Sequence, residues 1–418
     1  MSLKQKLVTF LLWSQKYTRT DMVYLAQGGF WLIAGKIVFS VSGFLLIIAF
    51  ANLLAKETYG TYQYVLSIVS ILAIPTLSGM NAAITRAVAQ GYEGTLVPAI
   101  KTQITWGSAG GLASLGVAGY YFLHHDTTLA ISFLIAAFFI PLTNPLANYQ
   151  AFWTGKKRFD IQTKYNTIIR LLAVSALLLT LVVTKNLILI FLVYFASYAL
   201  LYFIFFAITV KKIPPAQQQD PEAIPYGKHL SLLDVIGAVA SQLDKILLWQ
   251  FLGAEALAIY VFAVTPVQQA KAFFKTLRPL ALVRFSQGQT EKSKTDLLKK
   301  VAIFFLVMVF ATAAYIIGIP YFYKLFLPQY TGSIVYSQLF AITMLFIPQI
   351  LLITFLVAQK KTRELYLFQT SFYVGQAILL VILLPRYGIL GAIAALTLNQ
   401  ILNFFLLLFL FKSAKVTG

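Results

Sequence analysis

The chain has 418 residues, 59% of them hydrophobic and only 11% charged, with a mean hydropathy of +0.80. That balance excludes an ordinary soluble enzyme and describes a polytopic membrane protein. A net charge of +20 would suggest nucleic acid in a soluble protein, but these cations fall in short loops, where topology accounts for most of them and no nucleic acid is expected; with no Cys, disulfide and thiolate chemistry are excluded.

The first apolar run, residues 7–13, is too short to span and nothing like a cleavage site follows it. Residues 1–25 therefore read as an interfacial helix on the cytoplasmic surface. Twelve runs are long enough to cross: 30–51, 62–82, 104–123, 129–152, 166–184, 187–210, 230–253, 256–278, 301–320, 334–358, 365–384 and 388–411. Of the 33 Lys and Arg residues, 23 lie in loops on one side of this arrangement and 4 on the other, with six inside spans. The excess makes both termini cytoplasmic, which an even number of spans requires.

Residues 211–229, with four prolines and the acidic Asp220 and Glu222, read as a flexible cytoplasmic linker between six-span lobes at 26–210 and 230–418. The lobes resemble copies. A shift of 198 residues lays Leu54 on Leu252, Glu57 on Glu255, Tyr62 on Tyr260 and Arg86 on Arg284. Ile140-Pro141 and Ile347-Pro348 are each followed by a double lysine. Six spans return the chain to its starting side, so the repeats are parallel, a design that puts the substrate between lobes that rock.

Charged groups inside spans mark function or are neutralised. Lys36 shares a face of span one with Ser40 and Gly43, and overlays Asp234 under the shift. It either bridges the lobes or snorkels to the cytoplasmic headgroups. Arg170 either snorkels or takes phosphate in a bidentate way. Span seven carries Asp234, Gly237, Ser241, Asp244 and Lys245 on one arc. Asp244 and Lys245 either neutralise each other, or an aspartate (Asp234 or Asp244) binds a coupling cation while Lys245 meets an anion. On span eight, Gln268, Lys271, Lys275 and Arg278 form one stripe that lipid would reject. The alternative there is an ordinary positive-inside helix end. A diphosphate suits several fixed cations in a partly dehydrated cavity, at roughly 4 kcal/mol per close pair.

Tyr62, Tyr64, Tyr149, Tyr165 and Tyr260 could stack on sugars or simply pack, and Pro75, Pro141, Pro145, Pro266 and Pro348 suggest kinks. His124-His125-Asp126 could bind a metal but reads as a solvated outer turn. There is no phosphate loop, GxGxxG, HExxH or Ser-His-Asp set, so no cofactor is expected and any energy input is a Na+ or H+ gradient or downhill flux.

Residues 53–62 (LLAKETYGTY) resemble the LLxxxxYGxY signature of the O-antigen type of polysaccharide-biosynthesis flippase. Gly79 to Arg86 is similar to that family's small-residue turn leading to a basic residue. Asp244, Lys245, Leu252 and Gly253 fit its LDKxLLxxFLG, and residues 387–392 its YGxxGA; one departure is Ala258, which stands where a partner of Gly60 would be glycine. The resemblance implies a non-enzyme transporter of the multidrug/oligosaccharidyl-lipid/polysaccharide exporter (MATE-like) fold, V-shaped with a cationic cavity. It also implies the cargo, an undecaprenyl-diphosphate-linked oligosaccharide moved to the outer leaflet for O-antigen, capsule or exopolysaccharide, with polymerase and chain-length proteins as further partners. A drug antiporter would want an acidic cavity, and a peptidoglycan-precursor flippase typically has more than twelve spans.

Overall fold

The computed structural model describes residues 22–214, 218–275 and 294–413. Within them the chain is helical, with no strand. The helices are α1 (Met22–Leu53), α2 (Lys56–Leu72), α3 (Met80–Ala89), α4 (Leu96–Leu123), α5 (Thr127–Leu146), α6 (Tyr149–Gly155), α7 (Phe159–Val183) and α8 (Leu187–Val210). They continue as α9 (Ala223–Lys275), α10 (Lys294–Phe326), α11 (Ile334–Ala341), α12 (Gln349–Ala358) and α13 (Thr362–Ser413).

Helix starts follow local chemistry. Asp126 caps α5 by accepting from the Leu129 amide at 2.9 Å, and Asn186 caps α8 by accepting from the Ile188 amide at 2.9 Å. Asp126 thus serves as a helix cap, and His124 Nδ1 lies 2.8 Å from the Tyr120 carbonyl. Leu179, Val182 and Val183 are 67%, 74% and 83% exposed, an apolar surface that only lipid can cover.

Among the described residues, eight helices are long and apolar enough to cross a membrane, or nine when the pair Lys56–Leu72 and Ile74–Ala89, bent by 48°, is taken as one crossing. Multiple crossings are thus present, but the twelve separate spans read from sequence do not correspond to twelve separate helices. Spans seven and eight join in α9, 53 residues long, and spans eleven and twelve in α13, 52 residues long. The joint in each is one glycine: Gly253 at φ 80, ψ −174 and Gly388 at φ 60, ψ −134. Side chains avoid that region, so the chain turns there without spending residues on a loop. The linker is shorter than expected, because helix α9 starts at Ala223 and takes in residues 223–229. Residues 1–21, most of the expected interfacial helix, lie outside the described residues.

Two compact units are present. One comprises Met1–Leu53 and Val69–Val235, the other Leu54–Ile68 and Ile236–Gly418. One boundary falls at the end of α1 and the other two inside α2 and α9, none of them in the linker. The first unit's core gathers Met80, Ile84, Leu96, Ile100, Tyr149 and Phe152. Gly110 of α4 lets α2 come close, for a Cβ there would lie 2.0 Å from the Leu72 carbonyl oxygen. The second unit's core gathers Leu297, Leu352, Leu356, Phe368, Leu407 and Phe411. In that unit Lys56 bonds Glu255 at 3.1 Å and Tyr64 stacks on Trp249 at 4.4 Å.

Candidate functional site

In the first unit, α1 and α7 run alongside each other. A Cβ on Gly35 would meet Thr163 Cγ2 at 2.7 Å, and one on Gly43 would meet Arg170 Nη2 at 3.2 Å. Arg170 reaches across to α1 and α8. It turns sideways: Nε donates to Ser42 Oγ at 2.9 Å, Nη1 donates to Tyr198 Oη at 2.9 Å, and the guanidinium lies 4.2 Å from the Phe39 ring centroid. Ser42 is available to accept because its own hydroxyl donates to the Phe39 carbonyl at 3.0 Å.

Among the described residues, no carboxylate partners this half-buried cation. A guanidinium has five N–H donors; two are used, leaving three without a partner among the described residues. Apart from Nη2, no described side chain or distant backbone atom lies within 4 Å of the space over Gly43. Arg170 therefore offers a fixed donor edge beside an opening, which suits the oxygens of an anion. Lys36 lies seven residues before Gly43 on α1, about 10 Å along the axis, and is exposed.

Asp234 is exposed on α9 and accepts from Ser78 Oγ at 3.0 Å. Asp244 is 5% exposed in the second unit, where the Tyr260 hydroxyl and the Lys245 amide donate to it. Lys245 Nζ points instead to Gln242 Oε1 at 3.2 Å, so the adjacent charges do not close into an ion pair. Lys271 is half-buried, with Nζ 5.1 Å from the Phe340 ring centroid. The side chain of Lys275 and all of Arg278 lie outside the described residues.

The five tyrosines named as sugar platforms are core residues. Tyr62, Tyr64, Tyr149, Tyr165 and Tyr260 are 4%, 3%, 0%, 9% and 0% exposed, which leaves no ring face for a ligand.

The sequence reading missed a chain of carboxamides in the first unit. Span two breaks at Ile74–Thr76, Leu77 adopts φ 59, and helix resumes only at Met80. Carbonyls freed at the break need donors, and Thr76 and Leu77 are buried away from solvent. Gln103 of α4, 1% exposed, supplies them, donating to Thr76 O at 2.7 Å and Leu77 O at 3.1 Å. Its own Oε1 accepts from Asn148 at 2.7 Å, and Asn148 accepts from Asn81 at 2.9 Å. The available signal was Pro75 inside an apolar run with a lone glutamine in the neighbouring one.

The sequence matches the polysaccharide biosynthesis protein family over residues 25–277. No curated protein matches it by sequence. Among solved structures it is similar to the lipid II flippase MurJ in an inward closed conformation, with TM-score 0.69 and 13% identity over 91% of this chain and 88% of that one. It is also similar to an outward-facing multidrug resistance MATE family transporter of the MOP superfamily, with TM-score 0.65 and 13% identity over 94% and 97%. A MOP superfamily transporter from Pyrococcus furiosus, described as having a binding pocket of reverse polarity, gives TM-score 0.61 and 12% identity over 94% and 95%. At such identities the likeness concerns the fold.

Proposed function

Because the chain belongs to the polysaccharide biosynthesis protein family, we propose that it flips an undecaprenyl-diphosphate-linked oligosaccharide from the cytoplasmic to the outer leaflet of a bacterial plasma membrane. The observation that carries this reading is Arg170: a cation inside a membrane-spanning helix, held by neutral groups, with unused donors beside an opening. Such a residue is costly in lipid unless an anion uses it. A membrane-borne diphosphate is that anion. The glycan feeds O-antigen, capsule or exopolysaccharide assembly, with the polymerase and chain-length proteins of that route as further partners.

In this reading α9 and α13 each cross twice, since 53 and 52 residues at about 1.5 Å each far exceed a hydrocarbon core of about 30 Å. The remaining six candidates cross once; adding the bent pair and α4, 28 residues long, brings the count to twelve and puts both termini in the cytoplasm. Lys36, Arg170, Lys245, Lys271, Lys275 and Arg278 serve the diphosphate in successive steps of alternating access. Asp234 or Asp244 couples transport to Na+ or H+.

The test is complementation of flippase-deficient strains of differing glycan type. Wild-type protein should restore polymer in at least one, and Arg170→Ala should not, at equal membrane abundance. Polymer restored by Arg170→Ala would refute the phosphate role.

A further inference from the structure

The carboxamide chain at the break in span two does more than seal it. Gln103 must donate to two main-chain carbonyls, so its Oε1 can only accept, and it accepts from Asn148. That sets Asn148 Oδ1 to accept from Asn81 Nδ2. The polarity of a buried backbone break is thus relayed outward to Asn81, which is exposed and left with one N–H and Oδ1 in a fixed orientation. Asn144 is exposed nearby, one turn before Asn148, and is tied to Thr76 Oγ1 at 3.3 Å. Ser78 precedes Asn81 by one turn and holds one oxygen of exposed Asp234, whose other oxygen has no partner among the described residues.

Asn81, Asn144 and Asp234 all lie within segments long and apolar enough to cross a membrane. Exposed carboxamides and a carboxylate on such segments are costly against lipid tails and suit an aqueous space. The sealing function needs only Gln103, so the outer groups exceed what the break requires. Pre-oriented Asn and Asp side chains that mix donors with acceptors match the vicinal hydroxyls of a sugar.

We propose that Ser78, Asn81, Asn144 and Asp234 form a carbohydrate site on the first unit, which receives a hydroxyl-rich sugar of the cargo that carries no negative charge. The site rests on the flippase reading above. Asp234 supplies selectivity, since a carboxylate there accepts from hydroxyls and repels a uronic acid.

Full-length protein in nanodiscs would be titrated with three probes: undecaprenyl diphosphate, the same lipid bearing one neutral hexose, and the same lipid bearing one hexuronic acid. Wild type should bind the hexose lipid about fivefold or more tighter than the bare lipid, the effect of one or two net hydrogen bonds. Asn81→Leu and Asn144→Leu should bring that ratio to about one while leaving bare-lipid affinity unchanged. Should either substitution lower folded yield, Asp234→Asn carries the test, because its side chain is exposed; it should erase the preference for hexose over hexuronic acid. A hexose ratio near one in wild type, or an Asp234→Asn preference equal to wild type, overturns the sugar site and leaves the flippase reading standing. Failure of wild type to bind any of the three lipids overturns both.

Discussion

Arg170 answers opposing demands from lipid and ligand. Lipid penalises its charge, and a carboxylate partner would relieve the penalty but also neutralise the site. Ser42, Tyr198 and the Phe39 ring orient the guanidinium without cancelling it. Arg170→Lys keeps the charge and loses the planar fork, so transport in a liposome assay should fall by about ten- to a hundredfold, in line with about 1.5–3 kcal/mol for a charge-assisted bond. Tyr198→Phe should lower transport in the same direction by a smaller factor, and unchanged rates in both variants would show that orientation is irrelevant. Asp244 presents a different case. Its Tyr260 hydroxyl donor is buried with it, so Tyr260→Phe should cost about 1–3 kcal/mol of stability, read as a lower unfolding temperature in detergent. That such a carboxylate is internally satisfied, and that its neighbour Lys245 looks to Gln242, was beyond the sequence, because both outcomes depend on side-chain direction rather than spacing.

Among the elements, α9 and α13 were legible as apolar runs but not as continuous helices. Length and hydropathy locate a crossing, whereas the joint depends on the φ of one residue, Gly253 or Gly388. Both glycines stood in motifs quoted from the sequence, so their place was visible and their geometry was not. Gly253→Ala should cost about 1–3 kcal/mol, since that backbone region is essentially closed to side chains. Membrane abundance and unfolding temperature read this directly, and an unchanged temperature would mean that the turn is not held there. Gln103→Leu should cost a similar amount by stranding the Thr76 and Leu77 carbonyls. Residues 76 and 103 meet only through the fold, so no local pattern announced the pair. The joint at Gly253 falls, under the 198-residue shift, on Ala55 between α1 and α2, and each double-lysine turn holds a left-handed lysine, Lys157 or Lys360.

For the whole molecule, the charge asymmetry of the loops yields a direct topological expectation. The chain has no Cys, so single substitutions report cleanly. His125→Cys should react with a membrane-impermeant maleimide in intact spheroplasts and Lys212→Cys only after lysis; the reverse order would invert the proposed orientation.

The division into compact units has a consequence for biosynthesis. Residues 54–68 are made early yet belong to the body built mostly from the later half, and residues 223–235 are made after the linker yet complete the earlier body. In this division each half leaves the ribosome short of a piece of its own unit. A gene cut within 211–222 should therefore yield two fragments that are degraded when made singly and persist when made together, each acting as the other's folding partner.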